Sequence, residues 1–112
     1  VGDWFGFVTA LLEQLREEAG EHDSPSRVQL WPEHFDIAVD LGPDGHRANF
    51  GGSPGDAEHP EPYLYVGPWD RGPRTGDFWN EPFGASLAHA AIRRGADPLD
   101  FLRQGKVLVT GE

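Results

Sequence analysis

The residues from His34 to Leu41, with the four that follow, constrain the fold more than any other stretch of the chain. Phe35, Ile37, Val39 and Leu41 alternate with His34, Asp36, Ala38 and Asp40. Successive side chains of a strand point to opposite faces, so this period of two predicts a strand with one dry face and one largely polar face. Gly42-Pro43-Asp44-Gly45 then supplies turn chemistry, because proline presets φ and glycine tolerates positive φ. His46 to Phe50 is expected to return antiparallel. With those four residues as the turn, Asp40 faces Arg47 and Ile37 faces Phe50. A charge pair and an apolar pair both favour that register.

Upstream, Trp4, Phe5, Val8, Leu11, Leu12 and Leu15 form one apolar stripe at the helical period, predicting a helix over 3–20 with Asp3 as its cap and Gly20 as its stop. A polar loop over 21–26 and a short strand from Val28 to Trp31 follow, interrupted by Pro32, which cannot donate to a sheet ladder. Residues 51–62 are rich in breakers and read as a long loop, functional or mobile. Tyr63 to Val66 is the next strand, running toward Trp69, and 70–77 is a second polar loop. Residues 81–94 read as a helix capped by Asn80 or Glu81, with Pro82 in its first turn and Phe83, Leu87 and Ala91 inward. Asp97-Pro98-Leu99-Asp100 opens a further helix of a turn or two that Gly105 closes. Lys106 to Thr110 is apolar and β-branched, which predicts a terminal strand. The expected fold is α+β: an antiparallel meander of about four strands, covered on one face by the N-terminal helix and a C-terminal helical pair.

Composition narrows the function classes. The 112 residues fit a single domain over 1–112, and the chain holds no methionine, which suits a removed initiator or a piece of a longer protein. Nineteen acidic residues against nine basic ones give a net charge of −10, which argues against nucleic acid and against anionic membrane surfaces, since both need clustered Lys and Arg. No stretch of 18 apolar residues could span a membrane, and no basic-then-apolar leader opens the chain. The absence of cysteine excludes disulfides and thiolate metal sites and fits a cytoplasmic location. Among the basic residues only Lys106 is lysine, and with the abundant Ala, Gly and Pro this hints at a GC-rich coding sequence.

Three patterns could carry chemistry. Gly51-Gly52-Ser53-Pro54-Gly55 matches the nucleophile-elbow spacing, but the residue after that serine must donate an N–H to the oxyanion hole, and Pro54 has none. The same glycines lack the Gly-Lys-Ser/Thr of a phosphate loop. His34 and Asp36 are two apart on a strand, and His59 and Glu61 repeat that spacing. If the meander brings the pairs together, His34, Asp36, His59 and Glu61 suit a divalent metal such as Zn²⁺ or Mn²⁺ that activates water for hydrolysis. The bland alternative is that i, i+2 polar pairs are what any half-exposed strand displays. Finally, Trp31, Tyr65, Trp69 and Trp79, with Asn80, lie at strand ends or in loops. Rings with a polar tip favour partly wet sites, so these residues are candidates for a ligand pocket or a contact with a protein partner, a homodimer included. Their alternative use is as the large rings of a small core.

Three strings together resemble an uncharacterised bacterial domain family. They are Leu30-Trp31-Pro32-Glu33-His34-Phe35-Asp36, then Asn49-Phe50-Gly51-Gly52-Ser53-Pro54-Gly55-Asp56, then His59-Pro60-Glu61-Pro62-Tyr63-Leu64-Tyr65-Val66-Gly67-Pro68-Trp69. The likeness covers approximately residues 28–92, with Phe78-Trp79-Asn80 in register. It implies a cytoplasmic bacterial protein, and it brings no catalytic residues with it. The sequence favours a non-catalytic domain that binds a small molecule or a protein, because that reading asks for no convergent geometry. A metal-assisted hydrolase built on the His-x-acid pairs is the alternative.

Overall fold

The computed structural model describes residues 2–31, 36–57, 59–70 and 75–111. Helix α1 runs from Gly2 to Glu18, and a single 3-10 turn follows at Glu21–Asp23. Strands β1 (Gln29–Trp31), β2 (Asp36–Leu41), β3 (Ala48–Ser53), β4 (Tyr63–Pro68) and β5 (Ala85–Ala88) come next, then the short helix α2 (His89–Arg93) and helix α3 (Pro98–Thr110). The strands form one antiparallel sheet in the order β1-β2-β3-β4-β5. The α+β meander expected from sequence is present, with a fifth strand. No helix among the described residues is long and apolar enough to cross a membrane.

The alternation in β2 does what its period requires. Ile37, Val39 and Leu41 are buried and meet Trp4, Val8, Leu12 and Leu15, the inner stripe of α1. Phe50, Leu64 and Val66 complete the sheet's side of the core, and Leu102 and Val109 add that of α3. Phe35 lies outside the described residues. The two long helices thus cover one face of the sheet, and Arg103 of α3 clasps Glu18 of α1 with both its Nε and Nη2 (Nε···Oε1 3.0 Å). That guanidinium, helped by Gln14, holds the Glu18 carboxyl down to about 2.

The β2–β3 register differs from the expected one by two residues. Val39 pairs with Phe50, Asp40 with Asn49 and Leu41 with Ala48. The turn proper is Pro43 to His46, closed by His46 N–H donating to the Pro43 carbonyl at 2.8 Å, so Gly42 and Arg47 join the loop. A slip of two keeps every side chain on its face, which is why Phe50 is still buried. Arg47 still reaches Asp40, Nη2 to Oδ1 at 2.7 Å, and also donates to the carbonyls of Gly42, Asp23 and Ser24. The loop after β3 is shorter than expected, because Gly51, Gly52 and Ser53 belong to the strand.

Of the helix expected over 81–94 only His89–Arg93 is helical, and a turn and strand β5 take the residues before it. Residues 81–84 close a tight turn through paired hydrogen bonds between Glu81 and Gly84, at 3.0 and 3.1 Å. Gly84 has φ +150°, and a Cβ there would lie 2.1 Å from the Val66 carbonyl oxygen. Ala85 to Ala88 then pair with Val66 to Tyr63. Without them β4 would carry a row of unmatched backbone groups, a larger cost than the modest helix preference of Ala, Ser and Leu. Asn80 does not cap a helix. Its side-chain amide brackets the outer edge of β5, accepting from Ser86 N–H at 2.9 Å and donating to Ser86 C=O at 3.2 Å.

The C-terminal strand expected over 106–110 is also corrected, since α3 continues to Thr110. Its start is as read: Asp97 caps it through the Asp100 N–H at 3.1 Å, with Pro98 in the first turn. Gly105 does not stop it. A Cβ there would sit 2.7 Å from Val66 Cγ2, so the glycine lets the helix lie close on β4. The stop comes at Gly111, whose N–H bonds the Val107 carbonyl from a left-handed φ of 82°.

The polar loop at 21–26 is pinned rather than loose. Asp23 is fully buried; its carboxylate accepts from Gly20 N–H at 3.1 Å and lies 3.3 Å from the Lys106 ammonium.

Candidate functional site

With both long helices on one side, the other face of the sheet is open. The pairing places Asp36, Ala38 and Asp40 of β2, Asn49 and Gly51 of β3, and Tyr63, Tyr65 and Gly67 of β4 on it. Ala38, Gly51, Tyr65 and Ser86 form one row across four strands. Gly51 is the low point of that row. A side chain there would occupy the position of the Tyr65 hydroxyl, so the glycine lets the Tyr65 ring cross β3. Tyr65 then donates to Asp36 Oδ2 at 3.2 Å and ties β4 to β2. Burial and the neighbouring carboxylate push the phenol far above its ordinary range, so it stays a neutral donor.

Trp69 follows β4 and is 54% exposed. Its indole N–H donates to Asn49 Oδ1 at 3.0 Å, and the Arg47 guanidinium stands 5.4 Å from its ring centre. Trp31, the cross-strand partner of Asp36, is 51% exposed. Phe83 meets Tyr65 edge-on at 6.4 Å. Two adjoining clefts open between these groups. One of about 320 Å³ has Trp31, Asp36, Asp40 and Tyr65 in its walls. The other, about 710 Å³, is bounded by Asp36, Tyr63, Tyr65, Trp69 and Phe83. Among the described residues, the walls of both contain carboxylates and no Lys, Arg or His.

A second polar group lies where the 54–62 loop meets the 81–84 turn. His59 Nε2 is 2.9 Å from Glu81 Oε2, and Nδ1 is 3.4 Å from Asp56 Oδ1. The Ser86 hydroxyl donates to the same Glu81 oxygen at 2.6 Å, and the Tyr63 hydroxyl donates to Asp56 Oδ2 at 2.8 Å. The imidazole packs on the Tyr63 ring at 4.7 Å. The hydrogen bond to Glu81 raises the His59 pKa above its usual 6.5. The Ser86 hydroxyl first, then His59, lower that of Glu81.

The structure brings Trp31, Tyr65 and Trp69 to one face. It does not bring Trp79 or Asn80 there. Trp79 packs edge-on against Phe78 at 4.9 Å beside the core, and Asn80 braces β5. Of the proposed metal ligands, Asp36 binds the Tyr65 hydroxyl, His59 sits between Glu81 and Asp56, and Glu61 is exposed. His34 lies outside the described residues. Among the described residues no three His, Asp or Glu side chains assemble as a metal-holding group. Ser53 is buried at the end of β3, where its Oγ accepts the Gly55 N–H at 3.1 Å, a turn contact rather than a poised nucleophile.

Sequence reasoning missed four members of this arrangement. Asn49 and Tyr63 share the open face by strand parity, a signal present in the sequence once the register is known. Phe83 reads as a core residue when its segment is taken as helix. Glu81 meets His59 across 22 residues, which no local pattern reveals. Compared with protein-family models, with curated proteins and with solved structures, the chain matches none.

Proposed function

We propose that this chain is a non-catalytic binding domain whose open sheet face receives a small organic ligand between Trp31, Tyr65 and Trp69. The observation that carries this reading is the asymmetry of exposure. Trp31 and Trp69 are the two half-exposed tryptophans, and both stand in the walls of adjoining clefts that share Asp36, Asn49 and Tyr65. Clefts of this size, with aromatic walls and a few convergent polar groups, are what small-molecule sites look like. Binding is favoured over chemistry because the titratable side chains nearby are engaged with one another. Tyr65 is on Asp36, Arg47 on Asp40, and both His59 nitrogens face carboxylates. A hydrolase using His59 would first have to free it from Glu81.

A screen of aromatic, sugar and cationic fragments, followed by two-dimensional NMR, tests the reading. Hits are expected to shift Asn49, Tyr65 and the indole N–H groups of Trp31 and Trp69. Trp69→Ala is expected to weaken those hits at least tenfold without unfolding the domain. Hits that map to the helical side, unaffected by Trp69→Ala, would refute it.

A further inference from the structure

We propose that the ligand of the open face is a short neutral oligosaccharide, with its C–H faces on the exposed indoles and its hydroxyls on the amide and phenol groups between them. This inference rests on the binding reading above and specifies its ligand. Three observations lead to it.

The first is how Trp69 is held. Its backbone N–H donates to the Arg47 carbonyl at 2.9 Å and its indole N–H to Asn49 Oδ1 at 3.0 Å, while the Arg47 guanidinium stands over the ring, 5.4 Å from its centre. Arg47 is itself fixed by bonds to Asp40 and to three backbone carbonyls. A half-exposed ring tied in this way loses little freedom when a ligand stacks on it, so Trp69 is a preorganised platform.

The second is the kind of polar group that remains for a ligand. Asp40 is paired with Arg47, and Asp36 is engaged by the Tyr65 hydroxyl among others. The net charge of −10 disfavours anions. An indole N–H is a donor only, so it turns the Asn49 oxygen toward Trp69 and makes the Asn49 NH2 a donor in the wall that both clefts share. The Tyr65 hydroxyl gives its hydrogen to Asp36 and keeps its oxygen as an acceptor, and Gln29 adds an exposed amide to the smaller cleft. Neutral donors and acceptors side by side match hydroxyls, each of which does both.

The third is shape. Gln29, Ala38, Gly51 and Tyr65 form one row across β1 to β4. Trp31 lies two residues to one side of that row and Trp69 four to the other, so their backbones stand roughly 20 Å apart along the strands and roughly 14 Å across them. A chain of sugar rings spans that diagonal and a single ring does not. A flat aromatic ligand stays dry only with both faces covered, whereas a saccharide lays one face on an indole and leaves its outer hydroxyls in water.

Cellotriose, xylotriose, maltotriose and N-acetylated chitotriose are the probes. Sorbitol supplies hydroxyls without a ring face, and indole a ring without hydroxyls. NMR titrations are expected to show at least one trisaccharide moving the indole N–H groups of Trp31 and Trp69 and the Asn49 side-chain amide, with Kd of about 1 mM or below. Its monosaccharide is expected to bind at least tenfold more weakly, and sorbitol and indole more weakly still. Asn49→Asp keeps an oxygen for the Trp69 indole but removes the amide donor, so it should weaken the trisaccharide at least fivefold. Glu17→Gln, on the exposed side of α1, should change nothing. The saccharide assignment would be overturned, with the binding face intact, by any of three results: no trisaccharide binding at these residues, a monosaccharide or indole binding as tightly, or full affinity in folded Asn49→Asp. Probes that shift only residues of α1 and α3 would overturn both.

Discussion

A methyl group at position 51 would meet the Ile37 carbonyl oxygen at 2.6 Å and the Tyr65 hydroxyl at 2.7 Å. Gly51→Ala is therefore expected to displace the Tyr65 ring from Asp36 and to lower stability by about 1–3 kcal/mol, the usual cost of overpacking. Urea unfolding measures it, and an unchanged midpoint with Tyr65 still on Asp36 would contradict the packing described. Lys106 acts at a distance from the site. It is the chain's single lysine, and its ammonium lies 3.3 Å from the buried Asp23 carboxylate. Lys106→Met removes that ammonium from a buried ion pair, and the expected loss is about 3–5 kcal/mol. A loss below about 1 kcal/mol would place the Asp23 charge in contact with water. Neither role could be read from one sequence. The glycine is one of several in a breaker-rich run, and the lysine's partner is far away along the chain. The aromatic members were more legible: Tyr65 and Trp69 stood out because a ring with a polar tip beside a strand end seldom belongs wholly to a core.

Elements were legible in proportion to how local their causes are. The stripe from Trp4 to Leu15 and the row from Ile37 to Leu41 carry their periods in the sequence, and both form as expected. The Asp97-Pro98 start of α3 is equally local. The misreadings fall where a neighbour decides. β5 exists because β4 needs a partner, and Gly105 sits inside a helix because Val66 needs room. The β2–β3 register lies two residues from the expected one because the turn closes at Pro43–His46, and Arg47 then donates to the carbonyls of Asp23, Ser24 and Gly42. At the same scale, the His59–Glu81 contact joins the 54–62 loop to the 81–84 turn, and its pH dependence has a definite sign. The folded His59 pKa is raised, so its contribution is complete below pH 6.5 and fades as pH rises through the folded value. The folded Glu81 pKa is lowered, so its contribution is complete above pH 4.5 and fades as pH falls through the folded value. Anchoring of the loop is therefore expected to be strongest between those limits. NMR titration should place the His59 imidazole above 6.5 and return it toward 6.5 in Glu81→Gln. An imidazole titrating at or below 6.5 in the native chain would rule out the contact.

For the whole molecule the decisive feature is that both long helices take the same side of the sheet. Stability is concentrated on that side, and the proposed recognition falls to the other. Leu12, on the inner stripe of α1, is fully buried, and Leu12→Ala is expected to cost about 2–5 kcal/mol. Trp69→Ala removes a larger side chain but a half-exposed one, and under about 1 kcal/mol is expected. Comparable losses for the two would mean that the open face is part of the fold's support. The same division makes the four tryptophans natural reporters, since Trp4 is buried, Trp79 packs beside the core, and Trp31 and Trp69 stand in the cleft walls. The most direct test is fluorine NMR of protein labelled with 5-fluorotryptophan and titrated with the hits of the aromatic, sugar and cationic fragment screen. The resonances of Trp31 and Trp69 should move saturably while those of Trp4 and Trp79 hold still. Saturable movement of Trp4 or Trp79, with Trp31 and Trp69 unmoved, would contradict the assignment of the open face as the binding surface.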